Sequence, residues 1–220
     1  MSGLLVDVRS TRQPRNGTKP MTNQLWTKAW AEETKDLDFT KARVAGRATK
    51  ANPNKEDGNW WNEQGPIWVD QYIQWRKMNT NWKIWKTPQG AKAIELELNP
   101  TIADVPVKMV IDRVFEVDGE LVIVDLKTST RRPTSDLQLG FYKVGIELML
   151  GVTINQGNYW MSREAGTGEM IDLSRYTLDM LEYLVSNFEK ARQSGIFLPN
   201  LSSCSFCGFT DFCQFTKEKQ

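Results

Sequence analysis

A predicted β-hairpin constrains this chain more than any other stretch. Two runs rich in β-branched residues flank Asp118-Gly119, a dipeptide that strongly favours a two-residue hairpin turn. Such a turn sets the strand register, so Asp112 is expected to face Asp125 if no bulge intervenes. Lys127 lies two residues beyond Asp125 and is expected on the same face of its strand. The open end of the hairpin therefore gathers two carboxylates and an ammonium.

This arrangement of charges predicts a site for a divalent metal ion. Like charges directly opposite each other destabilise a sheet, and they raise the pKa of one carboxylate unless a positive charge lies between them. Mg²⁺ is typically held by one or two carboxylates, so a cation between Asp112 and Asp125 explains the pattern. The alternative is an exposed hairpin end at which the charges are only solvated.

Composition excludes several classes of chemistry. The chain has 220 residues, with 28 basic and 27 acidic side chains and a net charge of +1, so any nucleic-acid-binding surface is local. It contains no histidine, which excludes Ser-His-Asp and Cys-His catalysis and any metal site with a histidine ligand. No apolar run is long enough to span a membrane and no signal peptide opens the chain. We therefore expect a cytoplasmic protein with no membrane partner.

Hydrophobic periodicity predicts an α/β fold, with a central mixed sheet of about four to five strands flanked by helices. The core is expected to contain a helix that begins near Pro66, a meander of about four strands, and a helix over 136–150 whose apolar stripe includes Val144 and Leu148. A last amphipathic helix is expected after Thr177, its N-cap. We divide the chain into a basic N-terminal segment, a folded core and a cysteine-containing tail: residues 1–59, 60–199 and 200–220.

The three cysteines lie together near the C-terminus, at Cys204, Cys207 and Cys213. An odd number cannot pair within the chain, and their clustering favours metal ligation over disulfides. Thiolates suit zinc and iron–sulfur clusters. The alternative is three unliganded thiols in a tail rich in phenylalanine.

Three motifs taken in order resemble the nuclease core of RecB-like proteins. They are Ile-Asp112-Arg, then Val-Asp125-Leu-Lys127-Thr-Ser, then Gln138-x-x-x-Tyr142. RecB-like proteins belong to the PD-(D/E)XK superfamily, which also contains the CRISPR-associated adaptation nucleases. The D-x-K tripeptide alone is a weak signal, but the ordered set followed by C-x2-C-x5-C is specific. The resemblance covers about the last two-thirds of the chain and implies a restriction-endonuclease-like core.

The resemblance implies a role for each motif residue. Asp112 and Asp125 are expected to hold Mg²⁺ or Mn²⁺. Lys127 is expected to position or deprotonate the attacking water, or to stabilise the transition state. Gln138 and Tyr142, one helical turn apart, are expected to contact the DNA backbone or to orient the lysine.

Arg131 and Arg132 follow the second hairpin strand and are candidates for contacts to flanking phosphates. A solvated loop is an equal alternative for this pair.

The N-terminal and cysteine motifs of the family are incomplete in this chain. The three cysteines resemble the C-terminal set of iron–sulfur variants, in which a fourth cysteine from the N-terminal end completes a [4Fe–4S] cluster. This chain has no fourth cysteine, so iron–sulfur, zinc and an empty site stay open. Gly3-x-x-x-Asp7 resembles an early Gly-x-x-x-His motif, with aspartate where the family has a metal-ligating histidine.

The resemblance implies a metal-dependent, exonuclease-like DNA nuclease that acts on ends or single strands. Its expected context is phage or bacterial DNA recombination, repair or defence, in the bacterial cytosol or a phage-infected host, with a helicase or recombination protein as partner. Two alternatives stay open because the family's histidine and fourth cysteine are missing. One is a nuclease-fold DNA-binding or scaffold protein that has lost catalysis, and the other is an interaction module stabilised by zinc or an iron–sulfur cluster.

Overall fold

The structure, a computed structural model, describes residues 20–39, 56–201, 204, 207–209 and 212–215. The chain divides into two compact units, Met1–Ile73 and Gln74–Gln220. The predicted segment boundaries at residues 59 and 199 stay a prediction. Asp7, the rest of the N-terminal basic segment and most of the predicted loop over 41–59 lie outside the described residues.

Four helices are described: α1 (Pro20–Thr34), α2 (Gly58–Met78), α3 (Leu137–Leu150) and α4 (Leu178–Gln193). None of those within the described ranges is long and apolar enough to cross a membrane. The prediction that the second helix begins near Pro66 was wrong, because α2 begins at Gly58 and contains this proline. The cause is Asp57, whose carboxylate accepts a hydrogen bond of 2.9 Å from the backbone N–H of Trp60. Asp57 therefore caps the helix at its N-terminus.

Aromatic side chains organise the first unit. The ring of Trp30 stacks on Trp26 and on Phe39, with centroids 5.6 and 5.8 Å apart. The indole N–H of Trp26 donates a hydrogen bond of 2.8 Å to the side-chain oxygen of Asn62 on α2. Tryptophans of α1 are thus used in packing within this unit.

The second unit contains the sheet. Its strands are β1 (Trp82–Ile84), β2 (Ile94–Leu98), β5 (Met109–Val117), β6 (Glu120–Lys127), β7 (Gln156–Met161), β8 (Gly166–Thr167) and β9 (Ile171–Asp172), while β3 (Thr101–Ile102) and β4 (Val105–Pro106) form a separate pair. β1 and β2 share one edge of β5, followed by β6 and β7, with β8 and β9 against β7. β6 and β7 are parallel and the other pairs antiparallel. The described sheet is therefore mixed and five strands wide, which confirms the predicted fold class.

The turn between β5 and β6 has the predicted geometry. Asp118 and Gly119 have φ values of +52° and +92°, as a two-residue turn with positive φ at both central positions requires. The ladder then follows the predicted register from Val117↔Glu120 to Arg113↔Val124. Turn chemistry was therefore sufficient to predict the pairing of these two strands.

The predicted pairing of Asp112 directly opposite Asp125 is not part of the ladder, which ends one pair earlier. The backbone N–H of Leu126 donates instead to Oδ2 of Asp112, at 2.7 Å. The strands thus separate where the carboxylate of Asp112 accepts a backbone hydrogen bond from β6.

α3 connects β6 to β7 and covers one face of the sheet. The helix was predicted correctly, but its apolar stripe was predicted in part wrongly, since Leu148 is 41% exposed whereas Leu139 and Ile146 are fully buried. Gly145 explains this orientation, because a Cβ there would lie 2.5 Å from the sulfur of Met109 on β5. The close approach turns the face that carries Tyr142 towards the sheet.

The N-cap of α4 was predicted correctly, because the hydroxyl of Thr177 accepts a hydrogen bond of 3.3 Å from the backbone N–H of Met180.

Gly140 on α3 provides a test of this packing. A Cβ at Gly140 would lie 2.4 Å from the ring of Tyr176. Overpacking of this kind costs ~1–3 kcal/mol, against ~1 kcal/mol gained in helix propensity. We expect Gly140→Ala to lower the free energy of unfolding by up to about 2 kcal/mol in urea denaturation, net of those two effects. Gly166→Ala is the control, since no heavy atom lies within 4 Å of its Cβ position; equal midpoints for the two variants would contradict the packing described here.

Candidate active site

Four of the predicted site residues meet where β6 and α3 adjoin. The side-chain N–H₂ of Gln138 donates to Oδ1 of Asp125 at 3.0 Å and to the hydroxyl oxygen of Tyr142 at 2.7 Å. The Gln138 carbonyl accepts from the ammonium of Lys127 at 3.0 Å. The amide N–H₂ and the carbonyl of Gln138 therefore both orient other predicted site residues.

Asp125 is the buried centre of this network, with 2% of its surface exposed. The ammonium of Lys127 forms an ion pair of 2.6 Å with its Oδ2, and beyond this ion pair the buried oxygen has no hydrogen-bond partner. Burial raises the pKa of Asp125, and the charge of Asp112 raises it further, while Lys127 opposes the shift. A buried carboxylate with a second carboxylate nearby is stabilised in its charged form by positive charge beyond that of one lysine.

The residues present fit a divalent cation. Asp112 is half-buried, and its charge affects the pKa of Asp125, so the two carboxylates act on one region. In the described part of the chain, no three or more Asp, Glu, Cys or His side chains are placed to hold a metal ion together. Two carboxylates, one with an oxygen that lacks a hydrogen bond, match the small number of protein ligands that Mg²⁺ commonly uses.

Tyr159 is a site residue that the sequence did not reveal. It lies beside Asp125 because β7 pairs in parallel with β6, and the Lys127 nitrogen lies 6.0 Å from its ring centroid. Burial and the charge of Asp125 raise the pKa of Tyr159 to about 12. The pairing depends on a long crossover through α3, so no local motif could have indicated it.

Glu95 is a second residue that the sequence analysis did not assign to the site. The pairs on either side of it place Glu95 opposite Asp112, and its backbone has φ +48°, an unusual value for a residue other than glycine. Its carboxylate pairs with Arg113 at 2.9 Å. Burial raises the pKa of Tyr142, and the charges of Asp125, Asp112 and Glu95 add to the shift. The carboxylate of Glu95 thus adds a third negative charge to the electrostatic field of the site.

The two arginines after β6 differ in their surroundings. Arg132 is half-buried and forms an ion pair with Glu164. Arg131 is exposed, and its backbone carbonyl accepts a hydrogen bond of 2.8 Å from the hydroxyl of Ser129. Phosphate binding by either arginine stays a prediction.

The three cysteines are half-buried. The described residues do not bring Cys204, Cys207 and Cys213 together as a set of three metal ligands. An iron–sulfur or zinc site at these residues therefore also stays a prediction.

Comparison with known proteins identifies the family of this chain. The sequence profile of the PD-(D/E)XK nuclease superfamily matches residues 11–214, which include every residue of the Gln138 network. The chain belongs to the PD-(D/E)XK nuclease superfamily. Its mixed sheet and four described helices are consistent with the restriction-endonuclease-like core of that superfamily. Divalent metals are the general cofactors of PD-(D/E)XK nucleases.

Two phage proteins are similar to this PD-(D/E)XK chain over most of its length. The Gene 69 protein of Mycobacterium phage D29 is 29% identical over 209 residues, which cover 84% of this chain and 76% of the phage protein. The Gene 69 protein of Mycobacterium phage L5 is 28% identical over 217 residues, which cover 80% of this chain and 73% of the phage protein.

The raised pKa of Tyr159 predicts a loss of stability at alkaline pH. An unfolded tyrosine ionises near pH 10, whereas Tyr159 ionises at about 12 in the folded chain. Its contribution is therefore complete below pH 10 and is lost as the pH rises towards 12, with a slope of at most about 1.4 kcal/mol per pH unit.

We expect the unfolding free energy of Tyr159→Phe to fall less steeply than that of wild type over this pH range, as measured by urea denaturation at several pH values. Tyr183→Phe is the control, because Tyr183 is 70% exposed. Parallel slopes for wild type and Tyr159→Phe would show that the phenol of Tyr159 ionises normally in the folded protein.

Proposed function

We propose that this protein is a DNA nuclease that depends on Mg²⁺ or Mn²⁺ and acts, like an exonuclease, on single strands or ends. The observation that carries the proposal is the buried Asp125 carboxylate. It is held with Lys127 by Gln138, keeps one oxygen without a hydrogen bond, and lies in the field of Asp112.

The proposed mechanism assigns a task to each side chain. Asp112 and Asp125 would hold the cation, which when bound supplies a water of lowered pKa and neutralises charge on the scissile phosphate. Lys127 carries a positive charge towards the same region and would stabilise negative charge that develops on the phosphate. Gln138 holds this ammonium in place, and Tyr142 fixes the amide of Gln138 in turn.

We further propose a role in phage or bacterial DNA recombination, repair or defence. Its support is the similarity to two mycobacteriophage proteins over about four-fifths of the chain.

A second candidate is a nuclease-fold protein that binds DNA without cutting it. The observation that favours this candidate is the ligand set, since the described residues offer two carboxylates and no third ligating side chain placed with them. The two candidates differ in one measurable property, which is cleavage of DNA in the presence of a divalent metal.

Cleavage assays with Mg²⁺ or Mn²⁺ on single- and double-stranded DNA test the proposal. We expect wild type to degrade DNA, and Asp125→Ala and Lys127→Ala to lower the rate at least about 100-fold, since each removes a group that acts in the transition state. Glu116→Gln and Lys83→Ala are the matched controls, because both side chains are exposed and face each other across β1 and β5.

Two outcomes would count against the proposal. Equal rates for the site variants and the controls would remove Asp125 and Lys127 from catalysis. DNA binding by wild type without any cleavage under these conditions would favour the second candidate.

A further inference from the structure

A cleft of about 530 Å³ lies beside the candidate active site. Tyr159 belongs to both, because it lines the cleft and pairs with Asp125 across β6 and β7. Asp136 also lines the cleft and immediately precedes α3, two residues before Gln138. The volume falls within the range of roughly 300–1,000 Å³ that is usual for small-ligand sites.

The lining of the cleft combines hydrogen-bond donors, acceptors and apolar surface. Arg132 and Arg175 provide donors, Asp136 and Glu169 provide acceptors, and Ile171 provides apolar surface. Each guanidinium already pairs with a carboxylate, Arg132 with Glu164 and Arg175 with Asp136. An isolated phosphate would therefore meet arginines that are already paired and two carboxylates that repel it.

A nucleobase matches this lining better than a phosphate does. A base has donors and acceptors on its edge and apolar faces that stack on aromatic rings or guanidinium planes. Arg175 offers such a plane, since its guanidinium lies 4.9 Å from the ring centroid of Tyr176 and donates to that hydroxyl at 3.0 Å. The arginine is 64% exposed, so a base can reach it from solvent.

We infer that this cleft binds one unpaired nucleobase of a single-stranded substrate. The base would lie next to the phosphate that is bound at the proposed metal site of Asp112 and Asp125. The inference rests on the proposed nuclease function, since it assigns the base beside the cleaved bond to the cleft. An unpaired base is required because a base within a duplex has its edge paired and its faces stacked. The cleft thus favours single strands and frayed ends over intact duplex.

The test separates contacts to bases from contacts to phosphates. Fluorescence anisotropy in EDTA measures the affinity of the full-length protein for a labelled single strand and for a strand of equal length that lacks all its bases. The ratio of the two affinities reports base contacts alone, because both strands carry the same phosphates. Arg192→Gln is the matched control for Arg175→Gln, since Arg192 is 55% exposed and also pairs with a carboxylate, that of Glu189.

We expect Arg175→Gln to lower the affinity ratio about five- to 150-fold, the range for loss of one base stack. Arg192→Gln should leave the ratio unchanged. Glu169→Ala, which removes an exposed hydrogen-bond acceptor from the cleft wall, should lower the ratio in the same direction. It provides a second test if Arg175→Gln unfolds.

An unchanged ratio in both cleft variants would overturn the inference. If both strands are weakened equally, the ratio is also unchanged, and the effect is one of charge only. Cleavage with Mg²⁺, measured separately, tests the proposed function. If the protein cleaves DNA and the ratio is unchanged, base binding in the cleft is rejected and the nuclease function is retained. A lowered ratio without cleavage supports the base site and rejects the nuclease.

Discussion

The side-chain amide of Gln138 holds the candidate site together. It reaches from α3 to β6, where it donates to Asp125 and accepts from Lys127. It also donates to the hydroxyl oxygen of Tyr142, one helical turn further along α3. Without this bridge the direct ion pair of 2.6 Å would alone hold the ammonium of Lys127 beside the carboxylate of Asp125. The position of α3 is in turn set by its close approach to the sheet, so packing in the core determines the geometry of the polar site.

The burial of Asp125 is unfavourable for stability taken by itself. A buried carboxylate with an oxygen that lacks a hydrogen bond costs free energy, and its raised pKa reports that burial outweighs the attraction of Lys127. Groups of this kind are found where function requires them, and the rest of the fold offsets their cost. Glu95 is a comparable case, because its backbone lies in a region that non-glycine residues seldom adopt.

Local chemistry predicted much of this arrangement. Asp118-Gly119 was sufficient for the hairpin register, and the strand period was sufficient to place Lys127 beside Asp125. Two features were beyond these local rules. The parallel pairing that brings Tyr159 to the site joins strands separated in the chain by α3. Asp112 leaves the hairpin ladder because its carboxylate accepts a hydrogen bond from the backbone of Leu126, and turn chemistry does not specify this contact.

The central claim is that Asp125 and Asp112 hold a divalent cation, and anomalous X-ray scattering from crystals grown with Mn²⁺ tests it most directly. We expect a manganese peak about 2.0–2.5 Å from Oδ2 of Asp125, the usual distance for a divalent cation bound to oxygen, and no such peak in crystals of Asp125→Ala. A wild-type map without manganese at Asp125, or with manganese only at other residues, would contradict it.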